Sequence, residues 1–452
     1  MSKIKILFLN RDSAGVNYFR TQTPAVELER IYGDEFEVDI DADVDFKNPE
    51  TFEKLKKYNI IHYHGRLVDD IRQMSNIKRQ LPDIKFVMDI DDYWVLDKKH
   101  PLYSMSVEHK LATLAIENLK LADYITTTTE VFAEEIKKIT GKNNVFVLYN
   151  SVNPDSMKQF ENNWKPDPNG KIRITYAGGS SHLGDIQQLE GVANILNGDP
   201  DLKDKFVIKL AGWDTDGSIN TITFNPELAE ALKTKNLWTK ETVNLLNKSK
   251  GNIDMIPRLS DEIKDKFRGN VFKQEQHPIK SEESVYYNYE NILTDNHKII
   301  KDKDYLNWLS SFNKTNYYGD EGNYCRRWTQ KANIYAKVLD ETDIVIAPLD
   351  NNKFNIMKSS LKQIECWTRK LPIICSDMIP YNVDGIHDYN CLLIPTEKNA
   401  KKYWAKYLKI LILNENLRKR LGEQLYSDLK DKYNLKNVTK TRAEIYKSIL
   451  NV

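Results

Sequence analysis

Short runs of β-branched and aliphatic residues alternate with stretches of helical spacing along most of the chain, and this alternation restricts the fold more than any other feature. The first series of strand-like runs is Lys3–Asn10, Phe36–Ile40, Ile60–His64, Lys85–Ile90, Asp123–Thr127 and Val145–Leu148. Segments such as Thr21–Ile31 and Val107–Leu121 lie between them with helical spacing. Strands separated by helices of this length need crossover connections, so the expectation is a parallel sheet covered on both faces. The segment Asn162–Gly170, with two prolines and a glycine, interrupts the pattern and reads as a linker. A second series follows: Ile172–Ala177, Phe206–Ala211, Asp343–Pro348, Pro372–Ser376 and Cys391–Ile394. The implied architecture is α/β, with two Rossmann-like domains facing across a cleft at the C-terminal ends of their strands. The expected bounds are 1–160, 161–415, and a pair of C-terminal helices over 416–452 that return toward the N-terminal domain. Residues 213–327, polar, rich in Asn and Lys and dotted with Tyr286, Tyr287, Tyr289, Tyr317, Tyr318 and Tyr324, read as an insertion in the second domain.

Composition narrows the functional classes. At 452 residues the chain is long enough for two or three cores. With 66 Lys+Arg against 65 Asp+Glu it carries no global basic field, so charge alone does not indicate nucleic acid. No apolar run approaches a membrane span, and the start lacks the apolar stretch of a secretory signal, so the expected location is cytoplasmic. The four cysteines, Cys325, Cys366, Cys375 and Cys391, form no metal-like spacing and are expected as reduced thiols. Charge is uneven locally. Asp34–Glu53 holds nine acidic residues and one lysine, whereas Lys398–Leu450 holds fourteen Lys/Arg and five Asp/Glu. Solvated helix faces, an acidic neighbour and an anionic acceptor all fit that pattern.

The densest chemistry lies after the apolar strand Ile344–Pro348. A polar loop leads there to a helix expected to start near Ser359 or Ser360. Unbonded amides at a helix start, flanked by hydroxyls, suit an anion. Lys358, Lys362 and Glu365 stand at i, i+4 and i+7, so on one helix they share a face. Two ammonium groups suit a diphosphate, and a carboxylate about 10 Å further along the axis suits a ribose diol. The segment Phe354-Asn355-Ile356-Met357-Lys358-Ser359-Ser360-Leu361-Lys362-Gln363-Ile364-Glu365, followed by LPIICS, resembles the donor-binding block of retaining GT-B-fold glycosyltransferases, the glycogen-synthase-like or group 1 family. Its fixed residues match the F-N-x-x-K-S-x-x-K-x-x-E form found in part of that family. The resemblance implies that Glu365 holds the ribose. The position of the family's first glutamate, which contacts the donor sugar, is occupied by Met357.

Three further segments fit the same resemblance. Gly178-Gly179-Ser180-Ser181-His182 follows a strand where the family sets a loop against the donor phosphates, with Gly178, Gly179 and Ser180 donor-side and His182 a candidate to neutralise the leaving diphosphate. The loop after the first strand carries Gly15 and Arg20, expected on the acceptor side, where Arg20 fits either a phosphate or a salt bridge on a helix face. The strand end IIHYHG places His64 as the histidine contacting the transferred sugar, while His62 should face the other way. Asp89-Ile90-Asp91-Asp92 follows another strand end. Asp91 and Asp92 are expected on the acceptor side, structural capping is the rival reading, and a metal-binding Asp-x-Asp pair is disfavoured because the donor elements lie in the other domain. Asn150-Ser151-Val152-Asn153 resembles the family's hinge between the domains.

The resemblance implies transfer of a hexosyl or pentosyl group from a nucleotide-sugar donor with retention of configuration, catalysed by His64, Lys358 and His182. It implies no cofactor and no metal. Glycans and modified nucleic acids are both open as acceptors, and the oligomeric state is open too. Two other readings stand beside it: a sugar-nucleotide epimerase, and a non-catalytic carbohydrate or nucleic-acid binder on the same scaffold, which the methionine at 357 favours.

Overall fold

The computed structural model describes residues 3–10, 15–42, 44–68, 71–213, 218–249, 251–278, 285–294, 323–396 and 399–452. Residues 11–14 of the first loop, and Tyr317 and Tyr318, lie outside the described residues. Strands β1 (Ile4–Leu9), β2 (Phe36–Asp41), β3 (Ile60–His64), β4 (Lys85–Ile90), β5 (Tyr124–Thr127) and β6 (Val145–Val147) form one sheet in the order β2-β1-β3-β4-β5-β6. Each pair is parallel. The order reverses between β1 and β3, which opens a crevice above Leu9 and His64.

The second series makes the same kind of sheet. Strands β7 (Ile172–Ala177), β8 (Phe206–Trp213), β11 (Tyr324–Trp328), β12 (Ile344–Ala347), β13 (Ile373–Ser376) and β14 (Leu392–Ile394) lie in the order β11-β8-β7-β12-β13-β14, again parallel. Its reversal falls between β7 and β12. Their C-terminal ends lead into the Gly178–His182 loop and the loop before Phe354. Strand β11 corrects the insertion's expected limit: Tyr324–Trp328, grouped with the insertion on composition, is an edge strand of the domain. Arg326 is buried there against Glu290, with its guanidinium 3.9 Å from the Trp213 ring and 5.3 Å from the Trp328 ring, so these aromatics pack and do not offer a stacking platform. Residues 214–287 form a separate compact unit. Within it β9 (Ser218–Phe224) pairs antiparallel with β10 (Phe272–Pro278), and Leu228, Leu232, Leu246, Ile253, Phe267 and Val271 make a small core.

Strands buried on both faces read as continuous apolar runs, and β1 shows why. Leu7 and Leu9 enter one cluster with Ile61, Phe86 and Phe132. Ile6 and Phe8 enter another with Ala443, Tyr446 and Ile449 of the helix Leu435–Leu450. The C-terminal helix therefore covers the N-terminal sheet, and Lys447 there pairs with Glu35 of the acidic stretch. All four cysteines are buried and none forms a disulfide. Among the described residues no helix is long and apolar enough to cross a membrane.

Candidate active site

On the N-terminal side the polar residues are already bonded to one another. Arg20 rides a π-helical turn, Tyr18–Gln22, that aims it under the ends of the strands. Its Nε and Nη2 donate to Asp89 Oδ2 and Oδ1 at 2.9 and 2.7 Å, and Nη1 donates to the Leu148 carbonyl and Asn150 Oδ1 at 2.7 and 3.1 Å. Both side chains are 1% exposed or less. Of the two readings of Arg20, a phosphate contact and a salt bridge, the structure shows a buried salt bridge, with four of the five guanidinium N–H groups taken by Asp89, Leu148 and Asn150. Burial disfavours its charge, but Asp89 more than compensates and raises its pKa. Burial likewise works against the Asp89 charge, and Arg20 outweighs it, holding the carboxyl below its usual range. Thr126 also donates to Asp89 Oδ1 at 2.6 Å. Both Asp89 oxygens are thus engaged, by Arg20 and Thr126. Among the described residues no three His, Cys, Asp or Glu side chains cluster as metal ligands.

His64 ends β3 with its Nε2 2.8 Å from Asp91 Oδ1, and both stay partly accessible. Burial opposes protonation of His64, but the Asp91 charge and hydrogen bond, helped by Asp89, lift its pKa above the ordinary value. His62, two residues before His64 in the strand, lies on the same face and not the opposite one expected; it is buried with Nδ1 2.9 Å from the Tyr446 hydroxyl, and desolvation followed by the Arg442 charge pushes it down to about 3. Asp92 keeps an exposed face, yet the packing around it and then the charge of Asp91 push its pKa up to about 6, against the pull of Lys358 and His64. Gly15 is exposed, and a Cβ there would meet nothing within 4 Å, so no close approach requires a glycine.

The donor segment differs from a single helix. Asn352 caps a short helix Lys353–Ile356 by accepting from the Asn355 amide, the chain then turns through Met357–Ser360, and the second helix runs Leu361–Trp367. Asn355 fixes the turn by donating to Asp185 Oδ1 and the Asp350 carbonyl at 2.7 and 2.9 Å. Lys358 therefore stands before the helix, and the shared face expected for Lys358, Lys362 and Glu365 is not formed. Lys362 and Glu365 do meet, as an ion pair of 2.9 Å, while the Tyr335 hydroxyl donates to the other Glu365 oxygen. Glu365 is 2% exposed. Ser359 Oγ accepts from Asn150 Nδ2 at 2.8 Å, tying the hinge to the donor segment, and Ser360 is buried. Among the described residues no acceptor takes the Ser359 or Ser360 amide. Met357 is buried, with Phe354, in the apolar cluster of the N-terminal domain.

Lys358 is the exception to this mutual satisfaction. Its ammonium lies 4.8 Å from the Phe354 ring and makes no ion pair among the described residues. Its field nevertheless reaches Asp92 and His100 on one side and His182 and Asp185 on the other. His182 Nδ1 is 2.7 Å from Asp185 Oδ2, and its pKa is lowered by burial first and by Lys358 second. Asp185 was not apparent from sequence. It is buried and binds His182, the Asp350 amide and Asn355 together, so it positions the whole donor-side rim. Gly179 and Ser180 are exposed at that rim, and the Gly179 carbonyl accepts from Tyr289 Oη at 2.9 Å. Gly178 matters sterically: a Cβ there would sit 2.7 Å from the Tyr176 hydroxyl, and one at Gly212 (φ +95) would sit 2.9 Å from the Gly178 carbonyl. His100, Ser181, Asp185, Asp350, Phe354 and Lys358 line one narrow cleft between the sheets, which Lys99 crosses to reach Asp350 at 3.3 Å.

No protein-family model matches this chain, and no curated protein sequence does either. Solved structures match over its whole length. HepE from Anabaena, in complex with UDP and glucose, aligns with a TM-score of 0.55 at 11% identity over 98% of this chain and 100% of its own. Sucrose-phosphate synthase from Thermosynechococcus elongatus aligns at 0.53 and 11% over 100% of both chains. A glycosyltransferase from Rickettsia africae aligns at 0.52 and 13%, over 100% of this chain and 99% of its own. The fold is the GT-B fold of glycosyltransferases, with two Rossmann-like domains.

Proposed function

We propose that the protein transfers a glycosyl group from a nucleotide-activated sugar to an acceptor, with retention at the anomeric carbon. The observation that carries this reading is Lys358, a cation without a counter-ion among the described residues, beside two unused amides and between Asp92 and His100 on one side and the His182–Asp185 pair on the other. A departing diphosphate gains negative charge as its bond to the sugar breaks, and donors fixed in a narrow site stabilise that charge without reorganising. Lys358 and the Ser359 and Ser360 amides serve the diphosphate, and the Gly178–His182 rim borders it. His64, held by Asp91, contacts the sugar, and Asp92 lies on the acceptor side.

Glu365 takes the ribose in this reading. Because Lys362 now covers it, binding requires the lysine to turn from the carboxylate toward the phosphate. With Met357 in the apolar cluster, the sugar contact that a glutamate supplies in the resembling family is missing, so the remaining sugar contact rests on His64. That same absence is what favours a binder that holds a nucleotide and transfers nothing.

A thermal-shift panel of nucleoside diphosphates, followed by acceptor-dependent release of diphosphate, tests both. HepE has been solved with UDP-glucose, which makes uridine the first base to try. A nucleotide at 100 times its dissociation constant adds about 2.7 kcal/mol of stability. Glu365→Gln, which keeps shape but loses charge, should remove most of that gain. A full gain in this variant rejects the ribose assignment, and tight binding with no release in any acceptor mixture supports the binder.

A further inference from the structure

The opposite pole of the N-terminal sheet holds a feature that glycosyl transfer does not use. At the N-terminal ends of β4 and β5, away from His64, a cavity of about 380 Å³ is lined by Lys78, Lys85, Lys120 and Lys142 around Asp123. The lysines come from separate elements: the last turn of the helix Ile71–Gln80, the first residue of β4, the end of the helix Leu111–Leu121, and the residue after Gly141, which caps the helix Glu130–Thr140. The topology gathers them because all of these ends meet at one edge.

Their hydrogen bonds leave a charge excess. Lys78 Nζ donates to Asp123 Oδ1 at 2.5 Å and to the Leu121 carbonyl at 2.8 Å. The other Asp123 oxygen accepts from the Phe86 amide at 2.9 Å. Lys142 Nζ donates to the Ala122 carbonyl at 2.7 Å. The Lys85 and Lys120 ammoniums have no hydrogen bond or ion pair with any described residue. One carboxylate thus faces four ammonium groups in a chain whose total charge is only +1. The strain shows at Lys142, whose proton affinity falls through burial and then through the charge of Lys78. Ligand cavities start at about 300 Å³, so the space suits a small molecule. Ammonium groups on flexible stems act as point charges, which suits tetrahedral anions more than planar carboxylates.

We propose that this lysine-lined cavity binds a phosphate-bearing anion at a site distinct from the cleft. The proposal does not rest on the transferase reading. Lysine-selective acylation of the whole protein, read by mass spectrometry with and without inorganic pyrophosphate, tests it. At ten times the dissociation constant, Lys85 and Lys120 should react about tenfold more slowly, in the wild type and in Lys358→Ala alike. The double variant Lys85→Glu/Lys120→Glu should lose the protection of Lys142 while keeping a wild-type unfolding midpoint and its nucleotide response in the cleft. Protection at lower phosphate concentration by long-chain polyphosphate than by pyrophosphate assigns the anion to a polymer, and the reverse assigns it to a small free phosphate or diphosphate. Unchanged reactivity at millimolar pyrophosphate overturns the proposal. So does equal protection by sodium chloride at matched ionic strength, or protection of Lys142 that survives the charge reversal.

Discussion

The two walls of the cleft handle charge in opposite ways. On the N-terminal wall Arg20, Asp89, Thr126 and Asn150 form a closed set in which each charge has a partner and none faces the crevice. On the C-terminal wall Lys358 has no ion pair among the described residues, while its neighbours are fixed around it by Asp185 and Asn355. A paired buried charge keeps a fold in register, and removing one partner leaves the other uncompensated. An unpaired charge held in place by others adds little to stability and is ready for a ligand. The difference separates scaffold from site, and mutations should divide along it.

The largest effect expected is on the scaffold side. Asp89→Ala leaves Arg20 buried without a counter-charge and should lower the unfolding free energy by about 3–5 kcal/mol in a urea titration. A loss under 1 kcal/mol would break the contrast from one side, since the ion pair would then be dispensable. On the other wall Lys358→Ala should change stability by no more than about 0.5 kcal/mol. It should lower the turnover of whichever donor is accepted by about 10²–10³, the cost of removing one preorganised donor to a developing anion. A variant that is destabilised but fully active would invert the assignment.

Much of this architecture is legible from the alternation of strands and helices, because a strand buried on both faces must be apolar along its length, as Ile344–Ala347 is. Strand β11 escapes that rule. Its residues, Tyr324, Cys325, Arg326, Arg327 and Trp328, satisfy burial through a guanidinium stacked on indoles and paired with Glu290, a solution that no hydrophobic pattern signals. The donor motif is legible as residue types but not as geometry. Spacing alone predicts one helical face, whereas Asn352 N-caps a separate helix of 4 residues and Asn355 anchors it to Asp185, which is distant in sequence. Arg20 and Asp89 are 69 residues apart, and only the adjacency of strand ends brings them together. The rule that fails here is local periodicity, and it fails where side chains bond across elements.

The smallest effect refines the contrast instead of testing it outright. His64 and Asp92 are the titrating groups of the N-terminal wall that face the crevice, and both have raised pKa values. For each, a folded value above the unfolded one means that its contribution is complete below the unfolded pKa and is lost as pH climbs through the folded one. For Asp92 that window runs from the ordinary 3.8 to about 6, and for His64 it begins near the ordinary 6.5. Asp92→Asn should therefore match the wild type at about pH 2.8, where the carboxyl is neutral in both the folded and the unfolded chain, and be the more stable of the two at about pH 7.5. Urea midpoints at the two pH values read the difference, and an equal offset at both would mean that Asp92 does not titrate in this window. The same measurement in a Lys358→Ala background links the walls. With the Lys358 charge gone, the Asp92 transition should move to higher pH, and a transition that stays in place would show that this lysine does not act across the cleft.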